Sequence, residues 1–129
     1  MKRYFQPEIE CASRDEIHKI QSERLVKQVR NVWDNVPMYR KKMEEKGLTP
    51  EDIKSVDDLP KLPFIEKDDL RDEYPYGLLA RPLSECVRIQ STSGTTGRRV
   101  VAFYTQHDID LWEDCCARAI VAAGGTKED

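Results

Sequence analysis

Val87-Arg88-Ile89-Gln90, followed by Ser91-Thr92-Ser93-Gly94-Thr95-Thr96-Gly97-Arg98-Arg99 and then Val100-Val101-Ala102-Phe103-Tyr104, is the stretch on which the fold turns. The first four residues alternate apolar and polar, which is the period of a half-buried strand, and the last five are rich in strand formers. Between them lie nine residues, 91–99, with five hydroxyls, two glycines and two cations, a composition that supports neither a strand nor a helix. Thr105 with Asp108 then forms a capping-box pattern ahead of Ile109, Trp112, Cys116, Ala119, Ile120 and Ala123, which recur at helical spacing until Gly124-Gly125 stops them. The expected unit is strand, loop, strand, helix, so the fold class is α/β.

On the N-terminal side the period is helical throughout. Ser13 and Glu16 make a capping box, and Ile17, Ile20, Leu25, Val29, Val32, Trp33 and Val36 recur at helical spacing. Pro37 breaks this element, because it removes a backbone donor and pushes Val36 out of the helical region. A second short helix is expected from Met38 to Lys46, with Gly47 as its stop. Residues 48–83 hold five prolines, Pro50, Pro60, Pro63, Pro75 and Pro82. Thr49-Pro50-Glu51-Asp52 reads as a cap with one helical turn and 65–72 as a short helix, so this part resembles a wrapping arm. The division expected is a helical segment, 1–83, and the start of an α/β core, 84–129, that carries the 91–99 loop. Trp33, Tyr39 and Trp112 fall on apolar stripes and are expected in the core.

Composition limits what such a chain does alone. With 129 residues, 39% hydrophobic and 35% charged, it has material for one modest core and little for the walls and lid of a multi-step enzyme. Lys and Arg total 21 against 24 Asp and Glu, a net charge of −3, which gives no general attraction to nucleic acid or to an anionic membrane. No apolar run approaches the roughly 20 residues of a membrane span, and the first residues lack the apolar core of a signal peptide; a cytoplasmic location is expected. Cys11, Cys86, Cys115 and Cys116 show no C-x-x-C pair, and are read as reduced, buried thiols with no metal site. His18 and His107 are expected to be exposed or structural, and Lys41-Lys42 with Glu44-Glu45 to be a solvated helix face.

The chemistry therefore concentrates in the loop. Glycines let the backbone approach a ligand and turn N–H groups inward, hydroxyls add donors, and Arg98 or Arg99 supplies a charge-assisted contact, all of which suit a polyphosphate. A plain polar hairpin connection is the competing reading, since Ser, Thr and Gly are also ordinary turn residues. A Walker loop is excluded: Gly94 and Gly97 are too close together and Arg98 follows where that motif needs Lys-Ser/Thr.

The order STSGTTG between two strands closely resembles the phosphate-binding loop of the adenylate-forming superfamily. VPMYR, SVDDLPKLPFIEKDDLRDEYPYGL and FYTQHDIDLW resemble the N-terminal region of phenylacetate-CoA ligases, and the likeness extends over about 36–125. It implies that Thr92, Ser93, Gly94, Thr95, Thr96, Gly97 and Arg98 hold the β- and γ-phosphates of ATP while a carboxylate attacks the α-phosphate. Arg98 stands where the family usually has Lys, and Arg99-Val100 depart from its usual Pro-Thr continuation. The implied reaction joins an aryl acid to CoA through an acyl adenylate, with ATP, Mg2+ and CoA as co-substrates. The family's adenine pocket, acid pocket, Mg2+-binding acid and catalytic Lys all lie beyond the loop, so the chain is expected to be an N-terminal fragment of the large N-terminal domain, without catalytic residues and inactive alone. The alternatives are a non-catalytic ATP- or phosphate-binding module, and an interaction piece that completes a partner. A two-strand hairpin leaves open edges, so self-association or association with the missing remainder is expected.

Overall fold

Pro7 opens the first helix, α1 (Pro7–Glu10), a single turn that the sequence pattern did not reveal. The Glu10 carboxylate reaches back to accept from the amides of Phe5 and Gln6 at 2.8 and 2.7 Å, satisfying donors that a helix start leaves unpaired. The computed structural model describes residues 4–94, 97, 99–126 and 128.

Ser13 begins α2 (Arg14–Asn35) as expected: its Oγ accepts from the Glu16 amide at 3.2 Å and the Glu16 carboxylate accepts from the Ser13 amide at 2.8 Å. The helix stops at Val36, whose φ −121°, ψ 89° is the extended conformation imposed by the following proline. Pro37 then starts α3 (Pro37–Glu45) at a position where its missing N–H costs nothing. Gly47, at φ 67°, ends α3: its amide donates to Glu44 O at 2.8 Å and the Leu48 amide to Met43 O at 2.9 Å, which is a Schellman closure. The chain is thereby turned back over the α2–α3 pair.

That return builds the core. Val29, Met43 and Ile53 are 3%, 0% and 1% exposed, and Leu25, Trp33, Tyr39, Leu48 and Leu62 pack around them. Trp33 and Tyr39 thus take the core role expected of them. Burying a side chain such as Met43 contributes about 1.5–3 kcal/mol. Two 3-10 turns, Pro50–Asp52 and Val56–Lys61, and α4 (Lys67–Asp72) form the arm. Polar straps hold it down: the Val56 amide donates to Ser22 Oγ at 3.2 Å and the Tyr39 hydroxyl to Pro63 O at 3.1 Å. Lys42 donates to the Asp69 carboxylate at 2.6 Å. The expectation of a solvated face at 41–45 is corrected on this point, because Lys42 is half-buried between α3 and α4. His18 is exposed as expected, and its Nε2 lies 3.1 Å from the Asp57 carboxylate.

The hairpin pairs β1 (Cys86–Ser91) with β2 (Val101–Thr105) antiparallel, with Ile89 opposite Phe103 and Ser91 opposite Val101. α5 (Gln106–Ala122) follows directly, with Thr105 and Asp108 forming the expected capping box. Tyr104 leans on Trp112, ring centroids 5.6 Å apart, and Tyr76 of the arm leans on Phe103 at 5.5 Å. Two expectations fail here. Of the α5 stripe only Ile109 is buried; Trp112 and Ile120 are 43% and 59% exposed, because two strands offer too little surface to cover a whole helix face. The thiols are free, but Cys11, Cys115 and Cys116 are exposed and Cys86 is half-buried, so they do not serve as core residues. Among the described residues no helix is long and apolar enough to cross a membrane.

Candidate functional site

The loop between β1 and β2 is closed at its neck by a reciprocal pair. The Thr92 amide donates to Val100 O at 3.0 Å, and the Val100 amide donates to Thr92 Oγ1 at 3.1 Å. Thr92 therefore uses one lone pair to hold the neck, and among the described residues its O–H donates to no acceptor. Above the neck the Gly97 amide donates to Gly94 O at 3.2 Å, closing a tight turn. Gly94 at φ 70° and Gly97 at φ 126° occupy backbone regions that other residues rarely adopt. Such left-handed residues redirect successive N–H groups, which is how short loops build anion-binding concavities.

Of the residues singled out from sequence, Thr92, Ser93, Gly94 and Gly97 are thus placed together at one tip, with Thr92, Ser93 and Gly97 exposed. Thr95, Thr96 and Arg98 lie outside the described residues. Arg99, which follows them, lays its side chain across Gly94: a Cβ built on Gly94 would fall 2.7 Å from Arg99 Cγ and 3.4 Å from Arg99 Nε. Sequence reasoning named Arg99 only as an alternative cation, since nothing in residue order says which way a loop side chain folds.

The N-terminus of α5 is already occupied. Thr105 Oγ1 accepts from the Asp108 amide at 3.3 Å, while the Asp108 carboxylate accepts from the Thr105 amide at 2.8 Å and from its hydroxyl at 2.7 Å. A carboxylate seated there satisfies the helix end and repels a second anion. The start of α5 thus differs from Walker-type sites, where a helix start carries the phosphate.

A separate cleft of about 360 Å³ lies beside β2, lined by Gln28, Asn31, Leu78, Arg81, Phe103 and Asp108 among others. Its walls come from α2, the arm and the hairpin, which no local sequence pattern brings together. Its charges are engaged: Arg81 donates to Glu85 at 2.7 and 3.0 Å and Asp108 caps α5. Among the described residues no group of three His, Cys, Asp or Glu side chains is arranged to hold a metal ion.

No protein-family model matches the chain. Among curated proteins it is 49% identical over 121 residues to a phenylacetate-coenzyme A ligase of Aromatoleum evansii and 48% identical over 121 residues to that of Pseudomonas putida. Each match covers 94% of this chain and 28% of the relative, so the chain spans little more than a quarter of its relatives' length. Among solved structures, a 2-hydroxyisobutyryl-CoA ligase in complex with 2-HIB-AMP and CoA in the thioesterification state superposes with a TM-score of 0.79 at 31% identity, covering 89% of this chain and 25% of that one. The mixed helices and two-stranded sheet described above are therefore the backbone of a partial region of that enzyme class. By sequence and by backbone alike, the chain is similar to a segment of the longer phenylacetate-CoA ligases and of 2-hydroxyisobutyryl-CoA ligase.

Proposed function

We propose that this chain carries the polyphosphate-holding loop of an AMP-forming aryl-acid CoA ligase, which converts ATP, an aryl acid and CoA into aryl-CoA, AMP and diphosphate through an acyl adenylate. The observation that carries the reading is the tip itself: two glycines with positive φ, a neck locked by Thr92, and an identity near one half with phenylacetate-CoA ligases. Thr92, Ser93, Gly94, Thr95, Thr96, Gly97 and Arg98 are the residues proposed to receive the β- and γ-phosphates.

The chemistry explains why such a loop is needed. A carboxylate is a poor electrophile and repels an incoming thiolate, so it is first joined to AMP, and diphosphate must leave with its charge stabilised. Donors fixed in advance around that departing charge lower the barrier, each by about 2–4 kcal/mol in comparable sites. The residues present suit that role. The Gly94 amide and the Thr92 O–H, which donate to no other described residue, are donors, while the Gly97 amide closes the turn. Mg2+, bound with the phosphates, would supply further neutralisation of their charge. Among the described residues no group of three His, Cys, Asp or Glu side chains is arranged to hold a metal ion, and the proposed reaction draws on parts of the fold beyond this segment.

Two measurements test this. Diphosphate added to the chain should shift the amide resonances of Thr92, Gly94, Gly97 and Val100 and leave those of α3 in place; shifts confined to other regions would refute the assignment. The 129-residue chain, given ATP, CoA and phenylacetate, should form no aryl-CoA, and detection of the thioester would overturn the proposed dependence on further parts.

A further inference from the structure

We infer that Arg99 is a second polyphosphate ligand of this loop, beyond the residues that the family motif assigns, and that it confers preference for diphosphate-bearing ligands over monophosphates; this rests on the reading of the loop given above. Its side chain lies over Gly94, with Cγ and Nε 2.7 and 3.4 Å from where a Cβ on that residue would sit, so the stem runs along the turn that Gly94 and Gly97 form. The absence of a side chain at Gly94 is what allows this approach. The Gly97 carbonyl is 3.2 Å from the same point, so the space above Gly94 is bounded by both the arginine stem and the turn.

Arg99 is exposed, and among the described residues it forms no ion pair and no side-chain hydrogen bond. Two arginines of this half of the chain are engaged: Arg81 is held by Glu85, and Arg118 donates to Cys115. A guanidinium kept beside a loop of redirected amides, with no carboxylate among the described residues neutralising it, is a donor fork without an acceptor. A phosphate oxygen seated on the Gly94–Gly97 turn would meet it, and the planar fork matches two oxygens at once. A ligand with two adjacent phosphates would engage the turn with one group and the guanidinium with the other, whereas a monophosphate engages one at a time.

Titration calorimetry with diphosphate, ATP and AMP on the wild-type chain, Arg99→Ala and Arg99→Lys tests the assignment. Arg99→Ala should weaken diphosphate and ATP by about tenfold, the low end for a charge-assisted contact at an exposed site, and change AMP by less than about twofold. Arg99→Lys should fall between, since it keeps the charge and loses the fork. In NMR spectra the Arg99 Nε–Hε signal, identified by its loss in Arg99→Lys, should move with diphosphate; a side chain that merely braced the turn would not. Wild-type binding with Arg99→Ala within twofold overturns the role of Arg99 and leaves the loop reading standing. An equal loss for AMP and diphosphate overturns the stated preference, and a wild-type chain that binds no diphosphate overturns both inferences. Unchanged Thr92 and Val100 amide shifts in the unliganded variants would show that the neck survives the substitutions.

Discussion

Replacing Gly94 by alanine isolates the contribution of loop geometry. At φ 70° a Cβ is in the left-handed region, which costs an L-residue roughly 1–2 kcal/mol. The new methyl group would also lie 2.7 Å from Arg99 Cγ and 3.2 Å from Gly97 O, so a flexible side chain must move and a backbone carbonyl must give way slightly. Because the tip is exposed and rests on no core residue, it can relax without unfolding the chain. The penalty then falls on ligand binding, where the left-handed turn must be restored, and about 1–2 kcal/mol corresponds to about 5–30-fold in affinity. Gly97→Ala is the matched control: its φ of 126° is strained for alanine, yet nothing lies within 4 Å of the added methyl. Calorimetric titration with diphosphate should therefore show both variants weakened, Gly94→Ala more so because Arg99 is displaced as well, with thermal midpoints close to wild type. Diphosphate affinity for Gly94→Ala within twofold of wild type would refute the reasoning, as would a large loss of thermal stability with binding intact.

Other residues give independent checks. Thr92→Val keeps the shape but removes the acceptor for the Val100 amide; a loss of about 1 kcal/mol at the neck and faster amide exchange at Val100 are expected, with Thr92→Ser close to wild type. Met43→Ala empties the centre of the α2–α3 core and should cost about 2–5 kcal/mol in urea unfolding, against little change for exposed Glu44→Ala. Asp58 is lowered from 3.8 to about 2, first by the Lys61 ammonium and then by the Lys54 amide. Since the folded form holds this proton less tightly, its contribution is present above about pH 4 and is lost as pH falls towards 2, and Asp58→Asn should flatten acid unfolding across that window. Val87 and Ile89 on β1 are 58% and 60% exposed; sedimentation should show self-association that Ile89→Lys reduces, and a monomer at every concentration would contradict the open-edge argument.

Much of the fold was legible in residue order because the signals are local. Ser13 with Glu16, Thr105 with Asp108, Pro37 and Gly47 each act through bonds to neighbours within a few positions, and their caps and breaks fall where the pattern placed them. The glycine spacing of the loop belongs to the same class, since positive φ is a property of single residues. What the pattern missed depends on distance. Lys42 looks like any helix-surface lysine until Asp69, 27 positions on, is folded against it. The cleft beside β2 likewise gathers walls from α2, the arm and the hairpin. Trp112, Cys116 and Ile120 mark an apolar stripe that is real, but a period says only which face is apolar and not whether anything covers it. Arg99 is a further case, a side chain whose direction only the folded loop reveals.

The most direct measurement is an exchange of parts. In the Pseudomonas putida phenylacetate-CoA ligase, to which 121 residues of this chain align at 48% identity, the matching segment can be replaced by this one. The hybrid's phenylacetate-dependent exchange of labelled diphosphate into ATP reports on the adenylation step alone. A hybrid that is active, and that loses most of this exchange when Gly94→Ala is introduced, is the expected result. A folded hybrid that catalyses no exchange, or one that exchanges equally well with Gly94→Ala, would contradict the assignment of the loop to the diphosphate.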